Sequence, residues 1–69
     1  MNATIYNAVY HATAITILAD PTYVENLRIW NSAIAQPWRT YDHELAAAVA
    51  YVTAAARSCE SQARNAANA

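Results

Sequence analysis

Not one of the 69 residues is glycine, while eighteen are alanine. Alanine is the strongest helix former, because it has no side-chain freedom to lose. Tight β-hairpin turns commonly draw on glycine for positive φ, and that resource is missing here. The chain therefore reads as all-α. What remains open is how many helices it forms, which faces they bury, and whether one copy makes a sufficient core.

The second half carries the clearest periodicity. Trp38, Tyr41, Leu45, Ala48, Val52, Ala55 and Cys59 recur at alternating spacings of three and four, and Val49 and Ala56 widen that seam. This is the stripe of a core-facing helix. Pro37 suits a first helical position, and Asp42, Glu44, Arg57 and Arg64 complement a helix dipole running from there. The spacing predicts one helical arm over about 37–66, after a connection at about 36–37. Small alanines on its seam would let a neighbouring helix come close.

A shorter helix is predicted over 21–35, with Asp20 as its cap, Pro21 at its first position and Tyr23, Leu27, Trp30 and Ile34 as its stripe. Residues 2–19 are rich in β-branched side chains, so a strand is a rival reading. Yet Ile5, Ala8, Ala12, Ile15 and Ala19 also follow helical spacing, and the series runs on into the next helix. One arm over about 2–35, kinked at Pro21, would then match the second arm in length. The expectation is a single-domain antiparallel helical hairpin.

A chain this short buries only about 60% of its unfolded surface. Domains of this size usually lean on a disulfide, a metal or a partner. Cys59 is the only cysteine, so no disulfide closes within the chain. Tyr6, Tyr10, Thr13 and Ile17 form a second stripe on the first arm, away from Ile5, Ala8 and Ala12. We therefore expect a homodimeric helical bundle, with Tyr6, Tyr10 and Ile17 at the dimer interface.

Chemistry finds little support. "HELAAAV" at 43–49 opens like the zinc-protease motif H-E-x-x-H, but position 47 is alanine and the second ligand is missing. Cys59 lies on the apolar seam, where a cysteine acts as a small hydrophobe. His43 lies 16 residues from it, and nothing else places a base at its thiol. Without glycine there is no phosphate-cradling loop. The reading is a non-enzyme with no metal and no cofactor. Net charge is −1, with no lysine, so a nucleic-acid ligand is not expected either. The longest apolar tract, "LAAAVAYVTAAA", is too short to span a bilayer, and no secretion signal is readable. A cytoplasmic location is expected.

The distinctive stretch is "AQPWRTYDHE", residues 35–44. Every aromatic in the chain is tyrosine or tryptophan, and every cation is arginine. These are the residues enriched at interface hot spots. On a continuous helix Trp38 and Tyr41 would face the core while Arg39 projected outward. Trp38, Arg39 and Tyr41, with Arg28 on the neighbouring arm, are the candidate partner-binding residues.

In length and character, an alanine-rich, lysine-free helical chain of this kind resembles the small anti-quorum-sensing proteins of Pseudomonas bacteriophages. The resemblance implies a protein-binding inhibitor in the host cytoplasm. Its partners would be a LuxR-type transcription activator, whose action on DNA it blocks, and the type IV pilus assembly ATPase, whose suppression excludes competing phage. It carries no residue roles with it. Competing readings are a structural or assembly subunit without inhibitory activity and a compact helix-turn-helix regulator, the latter opposed by the lack of a basic helix.

Overall fold

The computed structural model describes residues 1–69, and they form three helices and no strand: α1 (Ala3–Leu18), α2 (Pro21–Ala35) and α3 (His43–Ala67). Each helix starts where an asparagine or aspartate can accept a bond from an otherwise unpaired backbone N–H. Asn2 Oδ1 accepts from the Ile5 N–H at 3.1 Å, Asp20 Oδ1 from Thr22 at 3.0 Å, and Asp42 Oδ1 from Leu45 at 2.9 Å. Residues 2–19 are thus helical despite their β-branched content. The 21–35 helix has the bounds and the cap expected of it.

Two boundaries differ from expectation. Where the sequence suggested one arm bent at Pro21, α1 and α2 are separate helices, with Asp20 extended between them at φ −77°, ψ 116°. The residue before a proline is pushed out of the α region by the pyrrolidine ring, so the helix stops there and restarts. The second arm begins at His43, six residues later than Pro37 suggested. A proline favours a helix start only when the preceding residue can cap it, and Gln36 is a poor cap where Asp42 is a good one. Residues 36–42 are therefore an irregular connection.

The long helix α3 carries both shorter ones. Three ties show the direction: the Asn2 N–H donates to the Ala67 carbonyl at 3.2 Å, the Cys59 thiol donates to the Tyr10 carbonyl at 3.2 Å, and the Tyr51 hydroxyl donates to Asp20 Oδ2 at 2.8 Å. Residue numbers fall along α3 as they rise along α1, so the two run antiparallel. α2 continues along the N-terminal part of α3 and touches α1 little. The molecule measures 45 × 19 × 17 Å between Cα extremes.

Only six residues are buried, and all lie on α3: Leu45, Ala48, Val52, Cys59, Ala63 and Ala67. Four of them belong to the seam read from the sequence. Trp38 and Tyr41 do not join it, being 78% and 66% exposed, because the segment that carries them is not helical. No helix is long and apolar enough to cross a membrane.

The faces of α1 are used in the opposite sense to that expected. Tyr6, Thr13 and Ile17 are half-buried, whereas Ile5, Ala8, Ala12, Ile15 and Ala19 are exposed. Tyr6 and Tyr10 stack with ring centroids 6.0 Å apart, and Tyr10 and Ile17 line a groove with Ala56 and Cys59 of α3. Of the residues assigned to a second copy, Tyr10 and Ile17 thus meet α3 within the chain, while Tyr10 keeps 41% of its surface exposed. Both stripes have helical spacing, so periodicity could not choose between them. Volume could: the facing part of α3 offers Cys59, Ala63 and Ala67, small residues that leave room for bulky ones opposite.

Candidate functional site at the α2–α3 end

The end where α2 hands over to α3 exposes large apolar side chains within a short stretch. Ile34 in the last turn of α2 is 70% exposed, and Trp38 and Tyr41 follow on the connection. Ile34 was expected on the core stripe with Tyr23, Leu27 and Trp30. Those three are half-buried, but α2 ends at Ala35, too soon for its last turn to be covered. Its place in the last helical turn, just before Pro37, was the signal that could have marked Ile34 as a surface residue.

Arg39 reverses its expected role. Its N–H donates to the Gln36 carbonyl at 2.9 Å, closing a turn after Pro37. That turn folds its side chain inward, to 20% exposure, with Nη2 3.9 Å from Asp42 Oδ1 and 4.0 Å from Glu44 Oε1. The 100° stepping of a helix does not apply to this segment, so the arginine is tucked in and the two aromatics stand out. Asp42 serves twice, capping α3 and neutralising Arg39. At these separations the ion pairs orient the connection more than they stabilise it.

Arg28 is exposed, and its guanidinium grips Glu25 one turn earlier on α2, Nε to Oε2 at 3.0 Å and Nη2 to Oε1 at 2.6 Å. The hydrogen bond to Arg28 holds the Glu25 carboxyl below its usual range. The same bond, with a smaller contribution from Glu44 at the start of α3, raises the guanidinium further. Arg28 is therefore exposed on α2 but already has a partner of its own in Glu25.

The charges near this end come from Glu25, Arg28, Arg39, Asp42 and Glu44, a mixed set with one more acid than base. Such a surface does not replace the counterions on a nucleic-acid backbone. It does suit a protein surface, with aromatic centre and paired charges around it.

Elsewhere the structure offers a junction at Asp20 and several shallow grooves, one of them almost wholly apolar. Asp20 was expected only as a cap. It also accepts the Tyr51 hydroxyl, which ties the α1–α2 break to the middle of α3 and, chiefly through that bond, raises the tyrosine above its ordinary pKa. Next to it lies an apolar groove of about 160 Å³ lined by Tyr10, Ala14, Ile17, Leu18, Tyr23, Ala56 and Cys59. The Cys59 thiol is buried there and bonded to a carbonyl, the environment of a structural cysteine. No three His, Cys, Asp or Glu side chains gather in a cluster that could hold a metal ion.

The chain matches no family model, no curated protein and no solved structure.

Proposed function

We propose that this chain works by occupancy rather than by chemistry, as a protein-binding inhibitor of the kind found among the anti-quorum-sensing proteins of Pseudomonas phages. It acts in the host cytoplasm as a homodimer of helical hairpins. It binds a LuxR-type transcription activator, excludes that activator from DNA, and also engages the type IV pilus assembly ATPase. The observation that carries this reading is the pair of exposed aromatics, Trp38 and Tyr41, on a connection that Arg39 and Asp42 hold in place.

A tryptophan that is 78% exposed buries little of itself in its own fold and has a large surface to offer a partner. Hot spots are built from such side chains set in a ring of weaker contacts, here Ile34, Arg28 and Glu25. Near-neutral charge makes the affinity depend on shape more than on salt.

The test uses a purified LuxR-type activator and its operator DNA in a mobility-shift assay, with the purified pilus ATPase in a parallel binding titration. The wild-type chain is expected to abolish the shift. Trp38→Ala should weaken binding by about 30-fold or more, as loss of a hot spot does, without lowering the melting temperature. An unaffected shift at saturating wild-type protein removes the activator from the proposal. Equal potency of Trp38→Ala removes the site.

A further inference from the structure

The outward face of α1 has no role within the chain and none at the α2–α3 end. Its ridge is Ile5, Ala8, Ala12 and Ile15, all exposed, with Leu18 beside it at 57% exposure. We infer that this ridge is the surface on which a second copy of the chain docks, as an antiparallel α1–α1 pair about a two-fold axis near Tyr10. The inference rests on the self-association proposed above and assigns it to a surface.

Three observations select a second copy as the occupant. The first is the order of side chains: Ile, Ala, Ala, Ile at spacings of three, four and three reads the same in both directions. A two-fold interface brings the same patch of both subunits together, residue i on j and j on i. In the antiparallel register Ile5 lies opposite Ile15 and Ala8 opposite Ala12. The two alanine pairs let the backbones approach at the centre, and the isoleucines close each end.

The second is charge. α1 contains no aspartate, glutamate, lysine or arginine over its 16 residues. Identical α1 faces can meet without burying any charge, whereas pairing through α2 or α3 would have to desolvate Glu25 and Arg28 or Glu60 and Arg64. The third is area. At 1.5 Å per residue α1 is about 24 Å long, and burying half of each helix surface along that length removes on the order of 1,000 Å² from water. That is the lower bound for a specific association, and it implies a reversible dimer. The monomer, with six buried residues, has reason to gain this burial.

Sedimentation equilibrium on the full chain tests the surface. The wild type is expected to pass from 7.5 kDa to twice that mass over micromolar concentrations. Ala12→Glu places a charge in the centre of the pair, opposite Ala8. It should weaken self-association by about 100-fold or more, the cost of an uncompensated buried charge, with helicity by circular dichroism unchanged. Mixing Ala12→Glu with Ala8→Lys should restore the dimer, because the antiparallel register sets the two charges face to face.

A wild type that stays monomeric, or an Ala12→Glu variant that remains dimeric, overturns the inference. Stronger rescue by Ala12→Lys than by Ala8→Lys also overturns it, since that order means a parallel pair. A dimer that behaves as described but leaves the activator and the ATPase unbound defeats the proposed function and leaves this surface standing.

Discussion

The two ends of this molecule are built on opposite terms. Where α1 starts and α3 finishes, small side chains are fully enclosed: Ala63 has no exposed surface, Cys59 and Ala67 have little, and Asn2 is tied to Ala67 by a backbone bond. Where α2 finishes and α3 starts, Ile34, Trp38 and Tyr41 stand in solvent on a segment shaped by a turn, a cap and two long ion pairs. The closed end buries its small side chains. The open end shows its large ones. In a chain with so little core, adhesive side chains left outside one end are surface available to a partner, while Leu45, Ala48 and Val52 under α2, the closed end and the Asp20–Tyr51 tie hold the helices together.

That contrast can be broken most sharply at the closed end. Ala63→Leu adds volume where none is free, and such overpacking costs about 1–3 kcal/mol. In a domain of this length that should lower the melting temperature by about 10 °C, read by circular dichroism. A matching insertion at an exposed alanine of α3, such as Ala54, should leave it nearly unchanged. Equal effects at both sites would mean that the closed end is not closed.

The open end predicts a smaller loss of a different kind. Asp42→Ala removes the α3 cap and one partner of Arg39, costing about 1 kcal/mol of stability. Because the connection then loses its anchor, partner binding should fall as well, measured in the same titration as Trp38→Ala. A variant that binds normally would show that the aromatics need no preset orientation.

The middle of the molecule should show the least change, visible mainly in its pH dependence. The folded state raises the Tyr51 pKa by holding the neutral hydroxyl on Asp20. Its contribution is therefore fully present below the ordinary phenol pKa, about 10, and is lost as pH rises through the raised value. The stability difference between the wild type and Tyr51→Phe should be constant from neutral pH to about 9 and close above that. A difference that persists at the alkaline limit would mean that the hydroxyl bond is not its source.

Much of the architecture was legible in the residues. Alanine content and the lack of glycine led to helices, and Asp20–Pro21 marked the start of α2 to the residue. Leu45, Ala48, Val52 and Cys59 were recognisable as a buried seam. The errors fell where spacing was carried past the point at which it holds. Extending the seam back to Trp38 and Tyr41 assumed a helix that begins only at His43, and with it went the outward Arg39. Choosing between the two stripes of α1 failed for another reason, since both are apolar and both have helical spacing.

The sequence by itself therefore determined that the chain is helical, where α2 starts and is capped, and which apolar stripes each segment has to offer. Those properties depend on neighbours within one turn, where backbone hydrogen bonding and side-chain spacing act. Only the tertiary structure decided how the stripes were used. Tyr6, Val9, Thr13 and Ile17 turn toward α3 because Cys59, Ala63 and Ala67 leave room for them there. That leaves Ile5 and Ile15 facing outward. Complementary volume across 50 residues of chain is a property of pairs, and no single stretch of sequence contains it.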